Sequence, residues 1–295
     1  MSDMFCFQCE QTAKSSACIG KAGVCGKQAD TAKLQDELTG ALVGLARAAQ
    51  VNKPNASTHR TMLEALFTTV TNVNFDSEAV THQIEAVHKS KNTLLAQCGN
   101  PGVNTDDYDV ENLWNDNEDI RSLKSLLLFG LRGMAAYAYH ALILGYTDEE
   151  VNNFFYKGMC AIGEDWGMDE LLPLVIETGK VNLKCMEMLD KANTETYGTP
   201  VPTTVPLTIE KGPFIVVTGH DLYDLYQLLE QTRGKGINIY THCEMLPGNA
   251  YPELKKHKNL IGNFGGAWQK QQEEFDGIPG CILMTTNCVQ KPRES

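Results

Sequence analysis

Four of the chain's ten cysteines fall within its first 25 residues, as Cys6, Cys9, Cys18 and Cys25, in the spacing C-x2-C-x8-C-x6-C. Around them stand Gly20, Gly23 and Gly26, the small Ser15, Ser16 and Ala17, and several lysines, with almost no regular periodicity. A segment of this composition cannot build a hydrophobic core of its own, so other bonds must fix its shape. Four thiolates on a short loop suit a tetrahedral metal ion or an iron–sulfur cluster, whose bonds replace the missing packing energy. The C-x2-C pair lets the chain turn back and place two sulfurs on one centre. The competing reading is a disulfide-stapled N-terminus. It needs an oxidising compartment, which nothing else in the sequence indicates.

A chain of 295 residues is long enough for two domains. Its 42% hydrophobic and 21% charged content describes an ordinary soluble globular protein. No apolar run approaches the roughly 18 residues of a membrane span. The start Met1-Ser-Asp lacks the basic and apolar stretches of a signal peptide, which makes the cytoplasm the default location. There, ten cysteines read as ligands and buried thiols rather than a disulfide frame. A net charge of −12 argues against nucleic acid or an anionic membrane as a partner.

Beyond the cysteine loop the pattern is helical, with helices expected over 30–50, 57–73, 77–97, 118–145, 148–162 and 168–192. Leu34, Leu38, Leu42 and Leu45 mark an apolar stripe on the first. The fourth is the most apolar, with Leu123, Leu126, Leu127, Leu128, Leu131, Met134, Ala135 and Tyr139 nearly encircling it, and it should be central. Gly130 and Gly133 within it suggest a close helix–helix approach. Breaks fall at Asn52-Lys-Pro-Asn, Gly99-Asn-Pro-Gly and Gly145-Tyr-Thr-Asp, the last offering Thr147 or Asp148 as a cap. Short loops between antiparallel helices predict a bundle, arranged as two three-helix bundles.

Three prolines in Tyr197-Gly-Thr-Pro-Val-Pro-Thr-Thr-Val-Pro mark a linker. After it, Pro213–Gly219, Ile237–Thr241 and Cys281–Thr286 read as strands, with a helix at Asp221–Gln231 and a weaker one at Pro252–Lys256. Strand, helix, strand at these lengths predicts a parallel, doubly wound sheet. The fold class expected is therefore multidomain α and α/β. A cluster loop over 1–28 leads into a helical bundle domain over 29–200, and a partial Rossmann-like α/β domain follows over 212–295. Each of the three strands runs into a residue able to bind a metal: His220, then His242-Cys243-Glu244, then Cys288. In open α/β sheets, sites form beyond the carboxyl ends of the strands. An imidazole, a carboxylate and a thiolate arriving together suit iron better than calcium or magnesium. Taken singly, His220 is as easily a turn residue, Glu244 a solvated loop residue and Cys288 a buried thiol.

Residues 4–27, Met-Phe-Cys-Phe-Gln-Cys-Glu-Gln-Thr-Ala and then Gly-Val-Cys-Gly-Lys, resemble the opening of the hybrid cluster proteins, also called prismane proteins or hydroxylamine reductases. The resemblance returns in Thr218-Gly-His-Asp, Tyr240-Thr-His-Cys-Glu-Met-Leu-Pro, Gly262-Asn-Phe-Gly-Gly-Ala-Trp and Thr285-Thr-Asn-Cys. It covers the whole chain but only about the first half of a family member. It implies an N-terminal [4Fe–4S] cluster on Cys6, Cys9, Cys18 and Cys25. The gap of eight residues is nearer to that branch of the family than to the [2Fe–2S] branch. It implies that His220, Glu244 and Cys288 are ligands of a hybrid iron–sulfur–oxygen cluster, whose further cysteines and second glutamate come from a region beyond the Thr-Thr-Asn-Cys motif. The implied activity is reduction of a small nitrogen-oxide substrate, hydroxylamine to ammonia or nitric oxide in nitrosative-stress defence, with electrons from a donor protein. Cys243 stands where many relatives are expected to carry glycine; a thiol there could be a ligand, a redox liability or simply a small residue, and the last reading is favoured.

Among the remaining candidates, Cys98, Cys160 and Cys185 are expected in helical cores and Cys281 packed at a strand start. His59, His82, His88 and His140 are expected on the surface or satisfied, and His242 as a donor behind Glu244. Trp268 is read as packing at the sheet edge or as a wall of the substrate pocket. The alternative function is a non-enzymatic iron–sulfur or zinc-binding module for electron transfer or structure. With part of the hybrid cluster's ligands missing, the chain alone is expected to be inactive, a C-terminal half absent, and apolar sheet surface from Ile215, Val217, Ile239 and Leu283 exposed.

Overall fold

The structure, a computed structural model, describes residues 4–9, 16–70, 74–96, 102–286 and 288–292. Ser15, Cys98, Asn287, most of the break at Gly99-Asn-Pro-Gly and residues 293–295 lie outside them. The chain divides into two compact units, one essentially up to Leu189 and one from Asp190 onward.

In the first unit the helices are α1 (Ala29–Ala49), α2 (Ala56–Thr68), α3 (Ser77–Leu95), a short α4 (Glu111–Trp114), α5 (Glu118–Ile143), α6 (Glu149–Gly163) and α7 (Met168–Tyr197), the last running on into the second unit. Their starts are written in side chains. Asn55 accepts from the Thr58 amide, Asp76 from Glu78 and Ala79, and Asp148 from Val151. Helix α2 stops short of the expected 73. The hydroxyls of Thr68 and Thr69 turn back onto the carbonyls of Glu64 and Leu66, at 2.8 and 2.7 Å, and compete with continuation.

Leu38, Leu42 and Leu45 are fully buried, as their spacing predicts. The six long helices share one core running from Leu38 to Cys185, where two bundles were expected. Helix α5 is less enclosed than its composition suggests, with Leu126 and Tyr137 exposed on one stripe. A side chain at Gly130 would press on Thr178 at 3.1 Å, whereas Gly133 faces open space, so only the first glycine serves a close approach. By length and composition α5 is also the one helix among the described residues able to cross a membrane, yet half of that stretch is buried in this core. It also carries Lys124 and Arg132 inside the protein.

The second unit holds β1 (Phe214–Thr218), α8 (Leu222–Thr232), β2 (Asn238–His242), a 3-10 segment (Cys243–Ala250), α9 (Pro252–Lys255), β3 (Leu260–Asn263), a short α10 (Gln271–Glu274) and β4 (Cys281–Met284). All pairings are parallel, in the order β3-β2-β1-β4. The chain winds outward from β1 through β2 to β3, then crosses back to lay β4 on the other side of β1. That reversal opens a crevice at the carboxyl ends of β1 and β4. The expectation of a bare apolar sheet is overturned. Val217 and Ile239 are fully buried against Leu225, Leu229, Met245, Leu254 and Tyr197, and Ile215 and Leu283 are partly covered. Cys281 also departs from expectation. It is exposed, because it begins an edge strand with a neighbour on one side only.

Candidate cluster sites

The cysteine loop obtains its order from the helices beneath it. Cys6 and Cys18 pair as an isolated antiparallel bridge, each amide donating to the other's carbonyl at 3.1 and 3.0 Å. Met4, Cys6 and Cys18 bury themselves on Ala32 of α1. Inside the C-x2-C turn, Phe7 meets Trp114 edge-on at 5.4 Å and lies 6.1 Å from Phe129. Gln8 turns the other way, into the protein, and donates to Ala32 O at 3.1 Å and Asp36 Oδ1 at 2.8 Å. Its own side-chain oxygen takes a hydrogen bond from Lys27 Nζ at 3.3 Å, and its backbone carbonyl one from Arg132 Nη1 at 3.4 Å.

Electrostatics tie Cys6, Cys9 and Cys25 to these cations. Burial pushes the Cys6 thiol up to about 11, against the pull of Lys27, with Cys18 adding a further upward push. Burial likewise lowers Lys27, while Cys6, Cys25 and Cys9 favour its charge. Burial brings Arg132 down to about 10, with Asp36, Cys6 and Cys9 opposing. Cys9 and Cys25 are partly exposed, and their neighbours Ile19 and Val24 are 70% and 65% exposed, so the outer face of the loop is open. Among the described residues no three His, Cys, Asp or Glu side chains are close enough to chelate a single ion. A cubane cluster does not require that proximity, since each thiolate binds a different iron. A four-cysteine loop, three of whose thiols act on buried positive charge, fits such an anionic group.

The second set of donors comes from three separate strand ends. Gly219, directly after β1, has φ +114°, and a Cβ there would meet Thr285 Oγ1 at 2.2 Å and Thr286 O at 2.6 Å. Only glycine fits between β1 and the β4 loop, and the next residue, His220, donates its amide to Thr286 O at 3.2 Å. Asp221 then caps α8 through the amides of Tyr223 and Asp224, so the Gly-His-Asp turn is rigid on both sides. His220 Nδ1 is buried without a hydrogen-bond partner among the described residues. Burial lowers its pKa, against the nearby Glu244 carboxylate, and favours the neutral imidazole that ligates metals.

Glu244 is exposed in the 3-10 segment after β2. Cys288 is pushed up to about 12, first by burial and then by Cys243 and Glu244. Glu244 thus lies within electrostatic reach of both His220 and Cys288. The Glu244 carboxylate and the Cys288 and Cys243 thiolates repel one another when ionised, and a shared cation removes the conflict. Cys243 and Cys288 are also the only described non-glycine residues with positive φ, 57° and 50°. Two thiols held in the left-handed region at one sheet edge store strain that an ordinary turn avoids. The Cys243 thiol sits against the Trp268 backbone and is raised by burial.

Beside His242, two supporting residues, Glu274 and Gln271, carried no sequence signal strong enough to find them. Fully buried His242 contacts Thr218 Oγ1 through Nδ1 and Glu274 Oε2 through Nε2, both at 2.9 Å. Glu274 also accepts from the Gly266 amide at 3.0 Å. Gly265, at φ +66°, leaves room for this pair, since a Cβ there would meet Glu274 Oε2 at 2.5 Å. Buried Gln271 donates to Cys288 O at 2.7 Å and accepts from the Gln290 amide at 3.0 Å, which pins the last loop. His242, expected as a donor behind Glu244, is thus held between Thr218 and Glu274. Glu274 and Gln271 sit in a stretch with no periodicity to mark them. Cys185 is buried in the helical core and Cys160 partly so. His59 meets the Tyr156 hydroxyl at 3.1 Å, and His88 meets Asp107 at 2.6 Å.

Residues 4–295 match the Prismane/CO dehydrogenase family. The chain belongs to that family. It is 50% identical to the hydroxylamine reductase of Solidesulfovibrio magneticus, over 99% of this chain and 58% of that protein. The corresponding protein of Thermodesulfovibrio yellowstonii is 49% identical and that of Methanosarcina mazei 44%, with the same coverage. The chain therefore spans 58% of the length of these relatives. A carbon monoxide dehydrogenase structure from Thermococcus sp. AM4 aligns over 97% of the chain and 46% of its own, at 15% identity and a TM-score of 0.37.

Proposed function

We propose that this chain carries the electron-entry cluster and part of the catalytic cluster site of a hybrid cluster oxidoreductase. That enzyme reduces hydroxylamine to ammonia, or nitric oxide, in the cytoplasm as a defence against nitrosative stress. The observation that carries the reading is the approach of His220, Glu244 and Cys288 at the strand-end crevice, in a chain whose relatives are hydroxylamine reductases. Cys6, Cys9, Cys18 and Cys25 would hold a [4Fe–4S] rather than a [2Fe–2S] cluster, taking electrons from a donor protein at the open face of the loop. His220, Glu244 and Cys288 would hold one side of a hybrid iron–sulfur–oxygen cluster. When bound, that cluster supplies the electrons and a Lewis-acidic iron for the N–O bond. The chain's own part is positional. His220 presents a neutral nitrogen, His242 is fixed between Thr218 and Glu274, and Gln271 holds the backbone of Cys288.

Three protein ligands are few for such a cluster, so turnover is proposed of the longer assembly and not of residues 1–295 alone. The test is anaerobic reconstitution of this chain, with iron and acid-labile sulfide counted and hydroxylamine turnover assayed. Brown, sulfide-containing protein without turnover is the expected result. Colourless protein holding one zinc would favour a structural module instead. Turnover comparable to a full-length relative would show that three ligands suffice.

A further inference from the structure

Beneath the cysteine loop two cations are buried side by side. Lys27 and Arg132 are 2% and 4% exposed, and the charge of one disfavours the charge of the other. Each costs several kcal/mol to remove from water, as buried ions generally do, so their presence needs an anion. Their hydrogen bonds do not supply it. Lys27 Nζ donates to the amide oxygens of Gln35 and Gln8, and Arg132 to Gln8 O and, at 2.9 Å, to Thr39 Oγ1. Arg132 Nε is buried with no hydrogen-bond partner among the described residues. Among the described residues the carboxylate of this network is Asp36, and it is bonded to Gln8 rather than to either cation. Among the described residues of this network, two positive charges therefore stand against one carboxylate. Stitching the loop to α1 and α5 would not require this, because a glutamine could make the same neutral bonds. The remaining charges that act on both cations are those of Cys6 and Cys9, joined at Lys27 by Cys25.

We propose that Lys27 and Arg132 are a built-in counter-charge for the iron–sulfur cluster held by Cys6, Cys9, Cys18 and Cys25, and that they raise its reduction potential. The inference rests on the cluster reading given above. A cubane with four thiolates is anionic, and reduction adds one electron to it with no bond made or broken. Buried positive charge therefore favours the reduced form more than the oxidised form, and net charge is one of the determinants of cluster potentials. Lys27 and Arg132 act through the cluster and touch no substrate. They are positioning residues, both bonded to Gln8 in the C-x2-C turn, Lys27 at its side-chain oxygen and Arg132 at its backbone carbonyl.

The experiment is an anaerobic, EPR-monitored redox titration of the whole chain at pH 8, with iron and sulfide counted in every sample. Arg132→Gln and Lys27→Gln should each make reduction at least tenfold less favourable, about 59 mV for a one-electron couple. Arg132→Lys, which keeps the charge, should restore most of it. Asp36→Asn removes the opposing charge while keeping an acceptor for Gln8, and should shift the potential upward. Unchanged potentials in the two glutamine variants, with full cluster content, would overturn the proposal and leave the cluster assignment standing. If those variants fail to assemble a cluster, Asp36→Asn decides, and a potential that does not rise overturns it. Wild-type protein without iron or sulfide would instead overturn the cluster reading beneath it.

Discussion

The cysteine loop and the strand-end crevice gather the same kinds of donor from opposite directions. In the loop, four thiols come from one contiguous segment with no core of its own. Its shape is borrowed from Ala32, Trp114, Phe129 and Arg132 on the helices below. In the crevice, each donor comes from a different strand, and a single crossover brings them to one edge. The charge environments differ as well. Cys6, Cys9 and Cys25 act on buried cations, whereas among the described residues the charges acting on Cys288 are those of Cys243 and Glu244, which oppose its ionisation. A contiguous motif can be made electropositive by a few packed residues. A site assembled by topology draws its charge balance from whatever binds there.

The sharpest way to break this comparison is Cys9→Ser. The loop contributes nothing to the main helical core, which runs from Leu38 to Cys185. The EPR signal of the N-terminal cluster should vanish while far-UV circular dichroism stays that of the wild type. Full cluster occupancy in this variant would show that the four-cysteine assignment is wrong.

Gly219→Ala strikes the topological site instead. The backbone there is left-handed and the added methyl has Thr285 Oγ1 and the Thr286 backbone in its way. The expected loss is about 1–3 kcal/mol from strain alone, with more from the clash. In urea unfolding the second unit should melt earlier, and the N-terminal cluster signal should be unaffected. A variant as stable as wild type would mean that the β1 and β4 ends are not locked together.

What the sequence revealed follows the same division. Helix periodicity, the strand–helix–strand rhythm and the cysteine spacing are local patterns; among the described residues they located six long helices and three of the four strands, and they supplied the candidates for both donor sets. Non-local features stayed hidden. Arg132 sits in a helix that reads as apolar, and nothing in α5 announces that it serves Gln8, 124 residues away. Glu274 and Gln271 lie in unpatterned sequence, and their partners His242 and Cys288 are fixed only once the sheet order is known. Cys281 reads as packed because strand starts usually are, and the edge position of β4 exposes it. The stripe of Leu126 and Tyr137 on α5 is likewise set by where the neighbouring helices end up.

Glu274→Ala tests how much the crevice depends on its hidden support. The change leaves His242 Nε2 buried without an acceptor and frees the Gly266 amide. The expected cost is about 1–3 kcal/mol. Hydrogen exchange should rise in residues 243–250 and at Gly266, and not in α1 or α5. Unchanged protection across 243–250 would show that the pair is incidental to the site.

The smallest effect separates the two regions by the sign of their response to acid. His257 is buried beneath Tyr226, 3.4 Å from Glu230 Oε1, and burial lowers its pKa below the ordinary 6.5. The unfolded chain therefore takes a proton before the folded one as pH falls. The stability this group contributes is present above 6.5 and is lost as pH drops from 6.5 through the lowered folded value. Asp36, under the cysteine loop, behaves in the opposite way. Burial raises it from 3.8 to about 6, so the folded state protonates first. Its contribution is complete below 3.8 and is lost as pH rises through about 6. Each proton changes stability by at most about 1.4 kcal/mol per pH unit. Urea unfolding of the metal-free chain between pH 4 and 8, in a Trp114→Phe, Trp166→Phe background that leaves Trp268 as reporter, should show the second unit weakening with acid. His257→Gln should flatten that slope, and Asp36→Asn should leave it alone. A slope that survives His257→Gln intact would assign the acid response of the α/β unit to His220 and His242 at the crevice.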